Sequence, residues 1–433
     1  MRVLWLCNVM LPMIGEYLEK PYSNGGGWLT GLSEDILKSN KKNLEFAVCF
    51  PMLFENQIIK GRIKKEENKM ELQFFGFPIQ NKNEAIYDKN VEGYLKLILD
   101  EYDPDIIHIF GTEFGHTLAM TRVNEKKERI IIGMQGVLAI CAQRYEANLP
   151  KHIVNRYTFR DLIKRDNIKD GKHKFMIRAK FEEEALNNVT HVLGRTSFDY
   201  EETLKINPNR KYYKLNETLR EVFYQKRWDI STMERYTIFI SQGDYPLKGL
   251  HFILQALPEI LRRYPDTKLY IAGNQIIPQK SLMGRIKISS YGKYIKKLIH
   301  INFLKQHVYF LGSLNAEEMC AQFQKSHVFV CPSVIENSPN SLGEAMLLGM
   351  PVVSSKVGGV PDMITNREDG ILVESGNVSA FSKAIKDVFA KDELAIQMGL
   401  KAHMKAVSLY NREENFNRLL EIYDKIGNDT NED

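Results

Sequence analysis

Cysteine is scarce in this chain and nowhere closely paired. Five cysteines (Cys7, Cys49, Cys141, Cys320 and Cys331) are scattered over 433 residues with no C-x-x-C spacing. That excludes a zinc knuckle and offers no disulfide framework; buried thiols in a reducing cytosol are the simple reading. Long apolar runs are also missing. The one near the start, Val3 to Ile14, is about a dozen residues, is broken by Pro12, and is followed by Glu16, Glu19 and Lys20 rather than by an A-x-A cleavage site. It is too short for a membrane span, and it reads as a first β-strand, not an export signal. No G-x-G-x-x-G follows that strand, which argues against a nicotinamide dehydrogenase. No internal repeat, low-complexity segment or His/Cys/Asp cluster with metal-ligand spacing occurs. A strong charge of one sign is absent too. The net charge of +5 is mild; it calls for no nucleic acid but suits an anionic surface or substrate.

What is present is ordinary for a soluble globular protein, with 44% hydrophobic and 26% charged residues. At 433 residues two domains are expected rather than one core. Continuous apolar runs, the mark of strands buried on both faces, occur at Val3–Asn8, Asp105–Phe110 and Arg129–Gly133. They alternate with helical spacing at Trp28–Leu37 and Val91–Leu99. The alternation restarts at Tyr236–Ser241, with a helix over Gly249–Leu261 and strands at Lys268–Gly273, Val308–Leu311, His327–Cys331 and Pro351–Ser355. This is the pattern of parallel α/β sheets. The polar stretch between Asn207 and Arg235 places a boundary, giving an N-terminal Rossmann-like domain over 1–215 and a C-terminal one over 216–410. An amphipathic C-terminal helix with a polar tail over 411–433 is expected to pack back on the first domain. Two doubly wound domains are expected to face each other across a cleft at the carboxyl ends of their strands.

Two stretches are basic. Residues 151–180 hold ten Lys or Arg against three acids, and residues 285–305 hold six and no acid, with apolar residues between them. Both suit an anionic membrane surface as well as a solvated face. No nucleic-acid module accompanies them, so a nucleic-acid role is not expected.

The most informative segment runs C-P-S-V-I-E-N-S-P-N-S-L-G-E-A-M-L-L-G-M-P-V-V-S-S-K-V-G-G from Cys331 to Gly359. Ser338-Pro339 predicts a helix start, with a hydroxyl N-cap and proline at the first helical position. Gly349 and Pro351 supply the stop, so a helix over Pro339–Leu348 is expected. The free N–H groups of Asn340, Ser341 and Leu342, at the positive end of its dipole, can receive a phosphate. Glu344 can lean back toward that end and accept from ribose hydroxyls. Glu336, in the preceding loop, can accept from sugar hydroxyls. Spacing alone would leave two surface glutamates as the simpler reading. The ordered succession of buried strand, Pro-rich loop, helix, second buried strand and the glycine pair Gly358-Gly359 decides otherwise.

This segment, continued through Val360-Pro-Asp362 and Asp369-Gly-Ile-Leu-Val373, resembles the E-x7-E region of glycosyltransferase family 4, retaining nucleotide-sugar-dependent enzymes of the GT-B fold. The resemblance implies that Glu344 binds the nucleotide ribose and Glu336 the donor sugar. Asn340, Ser341 and Leu342 would then hold the diphosphate, Asn337 and Ser338 would belong to the donor- and nucleotide-binding set, and Lys248, in D-Y-P-L-K-G, would hold a phosphate. Gly25, Gly26 and Gly27 match the first glycine-rich loop of the family. Two departures stand out. The family's arginine five residues before the lysine is Gly243 here, with Arg195 as a candidate replacement. The family's mid-domain histidine is Gln135 here, with His108 and His116 as alternatives. The implied activity is transfer of a sugar from a UDP- or GDP-sugar to an acceptor hydroxyl with retention, needing no metal or other cofactor. The implied setting is capsule, exopolysaccharide or glycolipid synthesis, on a carbohydrate or lipid-linked acceptor, in the cytoplasm or on the inner face of the cell membrane. A nucleotide-sugar epimerase of the same fold and a catalytically silent sugar-nucleotide-binding subunit are the alternatives.

Overall fold

A computed structural model describes all residues except 22–25, 40, 42–43, 54, 65–67, 82, 278–285 and 430–433. The chain divides into two units, Met1–Ala139 with Lys174–Arg220 and Tyr410–Asp433, and Ile140–His173 with Glu221–Leu409.

The first unit is built on β1 (Arg2–Leu6), β2 (Glu45–Leu53), β3 (Ile59–Ile63), β4 (Leu72–Ile79), β5 (Ile106–Phe110), β6 (Ile130–Gly133), β7 (His191–Gly194) and β8 (Lys211–Lys214). Their order is β3-β4-β2-β1-β5-β6-β7-β8. All neighbours run parallel except β3, which is antiparallel to β4. β3 alternates inward apolar and outward Lys60 and Arg62, as suits an exposed edge. Central β1 and β5 are apolar and almost wholly buried because helices cover both faces. Trp5 packs edge-on between Phe46 and Phe110, with ring centroids 4.7 and 4.6 Å away. The C-terminal helix Arg412–Asp429 joins this core through Leu419, Leu420, Tyr423 and Ile426. The Tyr423 hydroxyl accepts from Trp5 Nε1 at 3.0 Å and bonds His108 Nδ1 at 2.6 Å.

The second unit carries β9 (Thr237–Ile240), β10 (Lys268–Ala272), β11 (Val308–Gly312), β12 (Val328–Cys331), β13 (Val352–Ser355) and β14 (Ile371–Val373) in the order β11-β10-β9-β12-β13-β14, all parallel. This is the doubly wound order, and its direction of winding reverses between β9 and β12, the crevice where such sheets bind ligands.

One segment departs from the contiguous division at 215. Residues 140–173 fold with the second unit. Specific bonds hold them there. His251 Nε2 meets the Ala147 carbonyl at 2.9 Å, and the Ser290 N–H donates to Asp161 Oδ2 at 2.9 Å. Ile153 and Val154 are buried on a short helix that packs against the helix Ser290–Ile301.

Candidate active site

Lys248 and Glu336 lie in the loops that leave β9 and β12, the two strands on either side of the winding reversal. The loops are fastened together. Val334 N–H donates to the Leu247 carbonyl at 2.8 Å, and Ser241 Oγ donates to Ser341 Oγ at 2.9 Å. Gly249 has φ +69°, and a Cβ there would come within 1.9 Å of the Pro332 carbonyl oxygen, so only glycine lets the loops approach this closely. Gly358, φ +49°, does the same service for Glu336: a Cβ would sit 2.0 Å from the Glu336 carbonyl oxygen, which accepts from Gly359 N–H at 3.1 Å.

The outcome is an ion pair, with Lys248 Nζ 2.6 Å from Glu336 Oε1. The same oxygen accepts from Ser333 Oγ at 2.7 Å. Burial works to lower the Lys248 pKa, but the adjacent carboxylate outweighs it and holds the ammonium above its usual range. Lys248 therefore stays charged at neutral pH. Tyr245, the next aromatic in the loop, is pushed up to about 12, chiefly by burial, and stays neutral. Cys331 at the end of β12 is likewise pushed up to about 11 by burial, so it is an unreactive thiol.

The helix after the Glu336 loop differs in detail from expectation. It spans Asn340–Leu348 and its N-cap is Pro339, not Ser338. Proline has no oxygen with which to cap, and its carbonyl turns inward to accept from the N–H groups of Leu342 (2.9 Å) and Gly343 (3.2 Å). Leu342 is thus removed from the phosphate-binding set: its N–H is used and its side chain is buried. The N–H groups of Asn340 and Ser341 have no acceptor among the described residues. They are the two open donors at the positive end of the helix. Asn340 Oδ1 is also buried there without a partner. Glu344 and Asn337 are buried at 3% and 5% exposure, while Ser338 is half-buried. Gly243 is enclosed by Leu250 and Ile271, whose methyl groups lie 2.9 and 3.1 Å from where a Cβ would stand, so a side chain here would require both to shift.

The remaining predicted residues lie in the first unit and are already engaged. Gly25 is outside the described residues. Gly26 is the N-cap of the helix Gly27–Lys38 and has φ −110°. A Cβ on Gly27 would collide with the side chain of Arg220, 2.5 Å away, so a side chain of this unit already covers its backbone. Arg195, expected to offer a free cation, is a buried strut. Its guanidinium pairs with Glu217 at 2.7 Å and donates to the Met134 carbonyl at 2.8 Å. Gln135 donates to the same Glu217 oxygen at 2.8 Å and its carbonyl oxygen faces the Arg195 guanidinium at 3.5 Å. Its side-chain amide is thus engaged within the first unit. His108 is core, stacked on Phe110 and bonded to Tyr423. His116 Nε2 is bonded to Asn8 Oδ1 at 2.7 Å and its ring stacks on Phe114. Burial pushes both histidines down to about 3, so both are neutral at pH 7. His116 and Asn8 line a cavity of about 430 Å³ whose wall also includes Leu53, Ile79, Ile86 and Phe114.

Sequence reasoning passed over Ser333, Ser241 and Glu217, whose bonds fix Glu336, Ser341 and Gln135. A serine or glutamate in a loop carries no periodic signal; only strand adjacency shows its partner.

Residues 223–404 match the family described as Glycosyl transferases group 1. Over that stretch the chain is similar to the group 1 glycosyltransferases. A GDP-mannose-dependent alpha-(1-6)-phosphatidylinositol monomannoside mannosyltransferase of Mycolicibacterium smegmatis is 28% identical over 184 residues, 41% of this chain and 44% of that one. The chain spans less than half the length of the curated relatives it matches. Among solved structures, the sucrose-phosphate synthase of Thermosynechococcus elongatus superposes with TM-score 0.69 at 15% identity over 98% of both chains. Anabaena Alr3699/HepE in complex with UDP-glucose superposes with TM-score 0.67 at 14% identity, over 98% of this chain and all of that one. The fold of the chain is therefore GT-B. The matched stretch contains Lys248, Glu336 and the helix Asn340–Leu348.

Proposed function

We propose that the protein is a retaining glycosyltransferase that moves a sugar from a UDP- or GDP-sugar to an acceptor hydroxyl. The observation that carries this reading is the convergence of a permanent ammonium and two unsatisfied helix N–H groups at the winding reversal of the second sheet. In the reaction the bond from the anomeric carbon to the diphosphate oxygen breaks and a bond from that carbon to the acceptor oxygen forms. The acceptor proton passes to the departing phosphate. Charge builds on the diphosphate, and Lys248 with the N–H groups of Asn340 and Ser341 is assigned to stabilise it. Glu336 Oε2 and Glu344 are the acceptors assigned to sugar and ribose hydroxyls. Support for the donor class comes from relatives whose names carry GDP-mannose and UDP-glucose. The acceptor class, carbohydrate or lipid-linked in capsule, exopolysaccharide or glycolipid synthesis, belongs to the same proposal, as does a place in the cytoplasm or on the inner face of the cell membrane. No helix among the described residues is long and apolar enough to cross a membrane.

The test is a screen of UDP- and GDP-sugars by thermal shift, followed by nucleotide-release assays and NMR of the product. A ligand at a hundred times its dissociation constant stabilises by about 2.7 kcal/mol, which raises Tm by several degrees. No shift with any nucleotide sugar would sink the reading. The engagement of Gln135, Arg195 and His116 within the first unit supports a second reading, a silent binding subunit, which predicts the shift without turnover. An isomerised donor sugar in place of a new glycosidic bond identifies an epimerase.

A further inference from the structure

Residues 151–173 of the first basic stretch meet the second basic stretch within the second unit. The helix Phe159–Lys164 opens with a capping box in which Thr158 and Asp161 exchange bonds. The same Asp161 oxygen accepts from Ser290 N–H, at the first turn of the helix Ser290–Ile301. One buried carboxylate therefore fixes residues 158–165 beside residues 286–301.

The acids of this region do not neutralise its surface. Asp161 is buried, and Asp166 is taken by Arg160 at 2.9 Å. Asp170 accepts from Tyr157 and from Asn167 N–H. Arg156, Lys164 and Arg165 are exposed and form no ion pair among the described residues, and the same holds for Lys287, Lys296 and Lys297. Between these cations large apolar side chains stand in solvent. Leu162 is 62% exposed and Ile163 is 68% exposed. Phe159 and Ile286 are also exposed, and Phe303 is 88% exposed at the turn after the helix.

We propose that residues 156–165 and 286–305 form one face that docks on an anionic lipid bilayer. Cations surrounding apolar side chains match the interface of such a bilayer, where charge meets headgroups and apolar groups enter below them. Leu162, Ile163 and Ile286 are aliphatic and offer no face for base stacking, whereas Phe159 and Phe303 do, so binding to an oligonucleotide is an outcome of the test. The inference deepens the membrane placement above and rests on that part of the reading alone; the surface would exist whichever sugar is moved.

The experiment is cosedimentation of the full chain with phosphatidylglycerol-rich vesicles and with pure phosphatidylcholine vesicles, at low and raised salt. Binding is expected only to the anionic vesicles and is expected to weaken with salt. Leu162→Glu with Ile163→Glu, and separately Lys296→Glu with Lys297→Glu, should each lower vesicle affinity at least about tenfold. Leu97→Glu, at an exposed site of the first unit, should leave it unchanged. Nucleotide binding by calorimetry should be the same in all. Absence of binding to anionic vesicles, or unchanged affinity in both paired variants, overturns the proposal. Binding to an oligonucleotide without binding to vesicles overturns it as well. Vesicle binding in a protein that takes no nucleotide sugar leaves it standing and retires the transfer reading instead.

Discussion

Replacing Lys248 by methionine removes the ammonium while keeping most of the side-chain volume. In the free protein that ammonium is bonded to Glu336 at 2.6 Å, so two effects combine. The diphosphate loses a charged hydrogen bond, worth about 1.5–3 kcal/mol, or about 10- to 150-fold in affinity. It also meets Glu336 without its counter-ion, and two like charges in a half-buried site repel. The loss in Lys248→Met should therefore lie near the upper end, about a hundredfold for UDP or GDP. The double variant Lys248→Met with Glu336→Gln removes the repelling charge and should recover about tenfold of that, a coupling that separates the two effects. Glu336→Gln alone frees the ammonium. It should bind the bare nucleoside diphosphate at least as well as the wild type and bind the sugar nucleotide less well, because a hydroxyl acceptor is lost. Calorimetry with UDP, GDP and their sugar forms measures all four proteins, and circular dichroism checks that each is folded. Since Glu336 holds Lys248 charged, the difference should not vary with pH across the neutral range. Lys248→Met that binds every nucleotide within about twofold of the wild type would refute the site.

Glu182, on the helix Ile168–Asn187, is buried in the first unit, accepting from Thr112 Oγ1 and from Leu138 N–H, and burial raises its carboxyl to about 8. The folded state then holds a proton that the unfolded chain releases near its ordinary carboxylate value, so stability falls as pH rises from about 4.5 to about 8. Glu182→Gln removes that dependence, and its stability relative to the wild type should grow by on the order of 3 kcal/mol from about pH 5 to about pH 8; a difference that stays flat with pH contradicts this. Gly358→Ala must place a side chain at φ +49° and within 2.0 Å of the Glu336 carbonyl. Melting temperature and nucleotide affinity should fall together, with about 1–3 kcal/mol of strain; an unchanged Tm shows that the loop is looser than described.

How far the sequence could be read follows from the direction in which its signals run. The strands of the second sheet were legible because four-residue runs such as Val328–Cys331 are buried on both faces and carry no breaker. In the first unit β2 and β4 escaped notice because Pro51, Gly76 and Pro78 punctuate them. Those residues are tolerated because Pro51 and Pro78 fall in the last three residues of their strands, and because Met52 and Phe50 crowd the position where Gly76 has no Cβ. The carboxylate loop and the helix stop at Gly349 were visible along the chain. The N-cap was assigned one residue early because Ser-Pro suits a capped start, whereas here the proline carbonyl itself begins the bonding.

What no local pattern can supply is pairing across strand ends. Lys248 and Glu336 are 88 positions apart and meet only because β9 and β12 are neighbours. Arg195, Gln135 and Glu217 follow different strands of the first sheet, and that proximity is what converts a candidate cation and a candidate amide into a closed triad. The same logic governs residues 140–173. Composition marks them only as basic, but His251, bonded to Ala147 and to the Tyr291 hydroxyl, draws them into the second unit. Burial lowers the His251 pKa to about 4, so this histidine is neutral at working pH and the attachment is a stable part of the fold. The consequence is chemical as well as topological. A basic segment that follows Ala139 and precedes Lys174, both of the first unit, is carried by the unit that holds Lys248 and Glu336, and there it stands beside the second basic stretch. Two weak charge signals become one surface only after the strand order is known.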